Sequence, residues 1–369
     1  MNMPLVEQLR EKALSLGFSS LGISDIDLKD ASVGLRAWLS EGYHGDMDYM
    51  ARHEKLRGEP VTLRPGTVCA VMVTMNYTPP DQEWVAQSWQ TLGDSNQAYV
   101  ARYALGRDYH KIVRSNLQKL ADAFQKILGD DDKLGYRVFC DSAPVMEVEL
   151  ASKAGLGWRG KNTLLLSREQ GSMFFIGTLY IDKQLPSLEN HMPQGEHCGS
   201  CTRCLDVCPT KAFDGPYRLD ARKCISYLTI ENKGAIPVEY RKAMGNRIYG
   251  CDDCQLVCPW NKYAQAALHP DFATRNSLDS TSLLELFAWT EDEFNTRMAG
   301  SAIYRIGYWR WLRNIAVGLG NASASASASA SSSAHGEITR TLKATKGRLD
   351  QTKPDQQLVI EHIDWALTQ

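Results

Sequence analysis

The sequence has little of what would assign it to a membrane, a secretory route or a polyanion. Its 41 Lys and Arg residues nearly balance 43 Asp and Glu, and a formal charge of −2 sets up no global field toward nucleic acid or lipid. Any polyanion site must therefore be a local patch. No run reaches the roughly 18 apolar residues that span a bilayer. Glu7, Arg10 and Glu11 stand where a signal peptide has its apolar core, so a cytoplasmic protein with no membrane partner is expected. No G-x-G-x-x-G follows a strand and opens a helix, so a classical dinucleotide site is not indicated. Ten cysteines in 369 residues are too few for a disulfide scaffold.

What is present is an ordinary globular composition, 43% hydrophobic and 23% charged, in a chain long enough for two or three domains. Residues 5–16 carry apolar side chains at helical spacing and stop at Gly17. Segments 18–23, 68–77, 136–140 and 173–181 have strand character, and 110–128 and 145–154 are helical in pattern. Residues 1–185 are thus expected to form an α/β or α+β layer domain whose topology the pattern leaves open. Residues 186–265 change to short pieces broken by Cys, Pro and Gly, as where metal ligands replace much of a hydrophobic core. Residues 266–369 turn helical, at 282–287, 291–298, 308–319 and 356–367. Within them 321–334 (NASASASASASSSA) is low-complexity alternation, expected to be a flexible linker.

Eight of the ten cysteines lie between 198 and 258. Cys198, Cys201, Cys204 and Cys208 spell C-x2-C-x2-C-x3-C with Pro209 next, the bacterial ferredoxin run. Cys224 and then Cys251, Cys254 and Cys258, again followed by proline, supply the second half. In that pattern the last cysteine of each run crosses to the other cubane. Cys198, Cys201, Cys204 and Cys258 are therefore assigned to one 4Fe-4S cluster, and Cys208, Cys224, Cys251 and Cys254 to a second. Zinc also binds paired C-x2-C motifs, but it gives no reason for the third cysteine of the run or for a Cys-Pro ending that occurs twice. His191 and His197 are expected outside the filled ligand set. Cys69 and Cys140 are expected as small buried apolar residues. A ferredoxin needs only about sixty residues, so the first domain must hold whatever consumes the electrons. Asp108-Tyr109-His110 begins like the D-x-H-x-x-G cobalamin motif, but Val113 replaces its glycine, so histidine ligation of cobalt is not inferred.

The residues around these motifs resemble the epoxyqueuosine reductases, the cobalamin- and iron–sulfur-dependent enzymes of tRNA queuosine modification. The segments that carry the likeness are GYHGDM at 42–47, RYALGRDYH at 102–110, DSAP at 141–144, AGLGWRGKN at 154–162, CISYL at 224–228 and GNRIYGCDDCQLVCP at 245–259. The likeness covers about residues 1–320. It implies a nitroreductase-like cobalamin domain, a ferredoxin-like two-cluster domain and a helical C-terminal region. The implied reaction reduces epoxyqueuosine to queuosine at the tRNA wobble position, with electrons passing from an external donor through the clusters to cobalamin. Opening an epoxide leaves an alkoxide that needs a proton, which calls for a carboxyl beside the reacting carbon. The resemblance makes Asp141 that donor, whereas spacing alone makes it a cap for a helix beginning near Pro144. It further implies Arg57, Lys161, Asn162 and Ser226 as cobalamin contacts. Without it these are a surface arginine, a polar turn and a small residue beside a cluster ligand.

A site for the anticodon stem-loop is sought in residues 218–262, where eight Lys/Arg stand against five Asp/Glu. Lys233 and Arg247 are the candidates there, although Arg247 has Asp252 and Asp253 within reach as partners. Arg305, Arg310 and Arg313, interleaved with Tyr304, Tyr308, Trp309 and Trp311, form a second basic and aromatic stretch. On sequence alone it reads first as an amphipathic helix with its aromatics packed inward and its arginines solvated. A monomer is expected. Two other readings remain at this point: a cytoplasmic reductive dehalogenase-like cobalamin enzyme acting on a small molecule, and a two-cluster electron carrier.

Complementary cysteine sets predict about eight iron and about eight acid-labile sulfides per chain, with up to one cobalt when cobalamin is supplied. Metal and sulfide analysis of anaerobically purified protein checks this, and stoichiometric zinc with little iron would sink the assignment.

Overall fold

The computed structural model describes residues 4–81, 83–185, 197–328 and 332–369. His191 lies outside them. At the centre is a four-stranded sheet of β1 (Ser20–Ser24), β2 (Cys69–Asn76), β3 (Tyr136–Phe139) and β4 (Phe174–Ile181), in the order β1-β2-β4-β3. Every pairing is antiparallel, which resolves the open choice toward α+β. The two central strands, β2 and β4, were legible because both their faces are covered. β2 sends Val71, Val73 and Met75 to one core, and Ala70 and Met72 to another. A strand buried on both faces reads as a nearly continuous apolar run.

The first face is covered by helices α1 (Leu5–Ser15) and α2 (Tyr109–Leu128), whose Val6 and Leu9, and Val113, Leu117 and Phe124, enter the same core. Gly17, at φ +85°, ends α1 as its position predicted. The second face takes α3 (Glu147–Lys153) through Leu150 and Ala151. Here the chain approaches so closely that a Cβ on Gly22 of β1 would sit 2.3 Å from the Ala154 carbonyl oxygen.

Beyond residue 197 come single turns and short helices, among them Arg203–Val207, Ile225–Ile230 and Asp253–Leu256. A parallel pair, Tyr99–Val100 on Arg247–Tyr249, ties the segment before α2 to the second cysteine run. The C-terminal helices α4 (Gly307–Ala328), α5 (Ser332–Lys346) and α6 (Pro354–Ala366) pack around Trp311, Ile315, Leu342, Val359 and Ile363. Among the described residues no helix is long and apolar enough to cross a membrane.

The Ser/Ala tract corrects an expectation. Far from being a flexible linker, 321–328 is the last part of α4 and 332–334 opens α5; 329–331 lie outside the described residues. Alternation places Ala322 and Ala326 four apart on one face, 1% and 8% exposed, so even methyl groups contribute to the core. The hydroxyls of Ser325 and Ser327 bond back to the carbonyls of Asn321 and Ser323 at 3.1 and 3.0 Å, so their polar groups are satisfied within the helix. Alanine itself is the best helix former.

Two glycines in these helices should behave oppositely. A Cβ on Gly320 would meet Trp365 at 2.6 Å and the Ala366 backbone at 2.9 Å, whereas one on Gly336 meets nothing within 4 Å. Gly320→Ala is expected to cost about 1–3 kcal/mol by forcing α4 from α6. Gly336→Ala is expected to gain about 0.5–1 kcal/mol. Denaturant unfolding of the two variants measures both signs.

Candidate active site and metal centres

The eight clustered cysteines fall into two groups in space. Cys198, Cys201, Cys204 and Cys258 line a cavity of about 260 Å³ with Lys161, Asn162 and Trp260. Burial, and then Cys258, Cys198 and Cys201 beside it, pushes the Cys204 thiol up to about 11. In the other group, burial and then Cys224 raise Cys254 well above the ordinary thiol range. Burial raises Cys224 as well, with Cys208 acting in the same sense, and Cys251 is raised by burial, Asp253 and Cys254. Cys204 also acts on Cys254, so the two groups adjoin. Four thiolates in one buried place need compensating positive charge, which iron supplies. Backbone amides already turn to the sulfurs: Ala212 N–H donates to Cys208 Sγ at 3.3 Å, and those of Ser226 and Tyr227 bond Cys224.

Several expected cofactor and tRNA contacts are placed by this scaffold. Lys161 Nζ donates to the carbonyls of Gly199 and Cys201 at 2.6 and 3.0 Å, clamping the loop that bears the first cysteines. Asn162 is buried, and its Nδ2 has no hydrogen-bond partner among the described residues. Ser226 lies in the helix that follows Cys224. Lys233 is exposed.

Arg247 is a correction, because it is not an accessible phosphate contact. Its side chain is 10% exposed, and Nε and Nη2 grip Asp253 at 2.8 and 2.5 Å. Asp253 Oδ2 also accepts from Cys251 Sγ at 2.9 Å. A buried carboxylate beside a cluster ligand requires a cation, and the chain turns back at Gly250 (φ +68°) to bring one.

The second basic stretch divides. Arg313 is fully buried, donating to the carbonyls of Leu228, Asn232 and Gly234. Arg310 bonds the Ile230 and Ile306 carbonyls. Arg305, half-exposed, pairs with Glu231 at 2.9 Å.

Asp141 occupies a different kind of site. It adopts φ +57°, a left-handed conformation that Asp tolerates better than most residues. Its amide donates to Glu147 Oε1 at 2.8 Å, and its carboxylate accepts from the Tyr109 hydroxyl and from His110 Nε2 at 3.3 Å. His110 Nδ1 lies 2.8 Å from Asp108, which also caps α2 by accepting the His110 amide. Phe175 of β4 stacks on Tyr109 with ring centroids 4.2 Å apart, so the sheet sets the position of the hydroxyl. The helix-cap reading of Asp141 fails: α3 begins at Glu147, and no side chain caps it.

Confinement would raise the Asp141 carboxyl, yet hydrogen bonds from His110 and Tyr109 hold it below the usual range. Burial would lower His110, but the bonds to Asp108 and Asp141 lift it to about 9. Burial and then the Asp141 charge push Glu147 up to about 8. Arg57 stands within electrostatic reach of Glu147 and Asp141, and its buried Nε has no hydrogen-bond partner among the described residues. Tyr49 feels Glu231, Arg305, Asp141 and Arg57 together, which places the Ser226 helix and the Asp141 loop around one region. Asp108, Tyr109, His110 and Glu147 were not singled out as site residues. In the sequence the D-Y-H triplet resembles only the start of a cobalt motif, because nothing in spacing joins 108–110 to 141.

Two family models match the chain. One, described as "Epoxyqueuosine reductase QueG, DUF1730", covers residues 57–142, and a "4Fe-4S double cluster binding domain" covers 197–261. Epoxyqueuosine reductase of Burkholderia pseudomallei (strain K96243) is 50% identical over 381 residues, spanning 98% of this chain and 91% of its own. That of Escherichia coli (strain K12) is 48% identical over 99% of this chain and 89% of its own. Among solved structures, epoxyqueuosine reductase with a tRNA-Tyr epoxyqueuosine-modified tRNA stem loop superposes with a TM-score of 0.79 at 26% identity, covering 99% of both chains. A Bacillus subtilis epoxyqueuosine reductase, solved with its aspartate catalytic loop swung out of the active site, matches with a TM-score of 0.76 at 26% identity, covering 98% of both. The double-cluster match contains all eight clustered cysteines, and the chain carries two 4Fe-4S clusters.

Arg247→Met should strand Asp253 as a buried charge beside Cys251, at a cost of about 3 kcal/mol. It should also lower iron from about eight to about four per chain as the second cluster is lost. Adding Asp253→Asn should restore most of both, measured by anaerobic urea unfolding and iron analysis.

Proposed function

The chain belongs to the epoxyqueuosine reductase family, and from that premise we propose that Asp141 is the proton donor to the epoxide oxygen and that cobalamin binds in front of it. The protein is an oxidoreductase that reduces epoxyqueuosine in tRNA, drawing electrons through its two 4Fe-4S clusters. Cys198, Cys201, Cys204 and Cys258 would hold one cluster, and Cys208, Cys224, Cys251 and Cys254 the other. An external donor supplies the electrons.

The residues present suit cobalamin. Two buried polar groups, Arg57 Nε and Asn162 Nδ2, have no hydrogen-bond partner among the described residues, and a ligand rich in amide oxygens would satisfy both. Ser226 and the Lys161–Asn162 pair, beside the two cysteine groups, complete the proposed contacts. When bound and reduced, the cofactor supplies a nucleophile for strained carbon. The protein's own part is acid chemistry. Asp141 is 62% exposed on its side chain, yet His110 and Tyr109 hold its carboxyl in one orientation. That arrangement, a strained and oriented carboxyl open to a ligand, is the observation that carries the reading. Lys233, exposed and with no side-chain partner among the described residues, is proposed as a phosphate contact for the anticodon stem-loop.

Asp141→Asn keeps the shape of the side chain and removes its proton. Conversion should fall by roughly 10²- to 10⁴-fold, while cobalamin loading and stem-loop affinity stay near wild type. Nucleoside mass spectrometry of the tRNA reads the first, and a binding titration the second. Near-wild-type conversion would refute the assignment.

A further inference from the structure

Removing an epoxide oxygen as water breaks two carbon–oxygen bonds, leaves a carbon–carbon double bond and consumes two electrons and two protons. The clusters held by the eight cysteines would carry the electrons from a donor outside the chain. The protons are the difficulty, because the bonds that orient Asp141 also favour its ionised form. A carboxylate has no proton to give. Among the described residues, two proton-bearing side chains touch that carboxylate, the Tyr109 hydroxyl and His110 Nε2.

Resting on the reading of Asp141 as the group at the oxygen, we propose that His110 is its proton supply: the imidazolium gives its Nε2 proton to the Asp141 carboxylate, which passes it to the oxygen. Each turnover runs this transfer twice, first as the ring opens to a hydroxyl and then as that hydroxyl leaves as water. His110, 17% exposed on its side chain, regains its proton from solvent between transfers.

The geometry favours His110 over its neighbours. Asp108 engages Nδ1 at 2.8 Å, Nε2 lies 3.3 Å from the Asp141 carboxylate, and a carboxylate at each nitrogen favours the charged ring. Burial and the Asp141 charge hold the Tyr109 hydroxyl well above its ordinary range, so it donates a hydrogen bond and keeps its proton. Glu147 reaches the main-chain amide of Asp141 at 2.8 Å rather than the carboxylate. The other charged or titratable groups facing this cluster are Tyr103, which packs on Tyr109, Lys111 and Arg114 on α2, Cys140 before Asp141, Tyr180 of β4, Tyr249 before the second cysteine run, Arg57 and Tyr49 from the N-terminal helices, and Arg305 from the C-terminal region. With His110 held near 9, the store is full at neutral pH and empties as pH rises through that value.

The test is single-turnover conversion of an epoxyqueuosine stem-loop by chemically reduced holoenzyme, followed against pH. Wild type should be flat near neutrality and lose rate as pH rises through about 9. His110→Gln should be slower by about 100-fold or more at neutral pH, with unchanged stem-loop affinity, and should recover rate toward acid as Asp141 is protonated from water. Asp108→Asn retains a helix-capping side chain and should move the falling limb to lower pH. Ring-nitrogen NMR of the histidines in cofactor-free protein gives a readout independent of turnover. The His110 imidazolium should persist above about pH 8 in wild type and shift toward the ordinary value of about 6.5 in Asp108→Asn. A His110→Gln enzyme within about threefold of wild type with the same pH profile, or a neutral His110 ring at pH 7, would overturn the proposal. An active Asp141→Asn enzyme would instead overturn the role of Asp141 itself. Inactive Asp141→Asn beside fully active His110→Gln would overturn the supply role alone.

Discussion

Four sulfurs cannot share a buried pocket as thiolates unless positive charge comes with them, and the middle of this chain is organised around that requirement. Its own apolar core is small, built on Ala221, Ile225, Leu228, Ile236 and Met244 with Val317 reaching in from α4. Polar staples do much of what apolar packing does elsewhere. Arg313 and Asn314 of α4 bond the carbonyls of Leu228, Thr229, Asn232, Gly234 and Ile248, at the end of the Ser226 helix, in the loop after it and in the strand before Cys251. The C-terminal helices thus brace the cluster-bearing loops. Arg247 and Asp253 extend the same logic to the metal's edge, where a buried pair sets the charge next to Cys251.

The acid site depends on the sheet in an equally specific way. β4 carries Phe175, Phe175 stacks on Tyr109, and the Tyr109 hydroxyl meets Asp141. Asp108 ends the loop before α2 as a helix cap and also holds His110, so one carboxylate starts a helix and orients an imidazole. The left-handed backbone at Asp141 is kept in place from three directions, by Glu147 on its amide and by Tyr109 and His110 on its carboxylate. Strain of that kind persists only where the surroundings over-determine it.

Much of this was legible from the chain alone, for local reasons. β2 and β4 announce themselves because a strand covered on both faces is apolar at most positions. α2 announces itself by its 3.6-residue period, and the cluster ligands by spacing that wraps backbone around a cubane. The misreadings were also physical. Composition made 321–334 look like a linker, yet Ala322 and Ala326 need only a neighbouring helix to bury against. Arg247 looked like a basic surface residue because formal charge says nothing of depth, and Asp253 is what draws it inward.

The sequence by itself determined the main strands and long helices, the clustered cysteine pattern and the family, because periodicity, spacing and short motifs are properties of neighbours along the chain. Only the tertiary structure decided the antiparallel order of the sheet, the depth of Arg247 and Arg313, and the meeting of Asp108, His110 and Tyr109 with Asp141. Those contacts join residues some thirty or more positions apart or depend on burial. The energy of a buried charge is set by which partner reaches it through space, and spacing along a chain does not encode that.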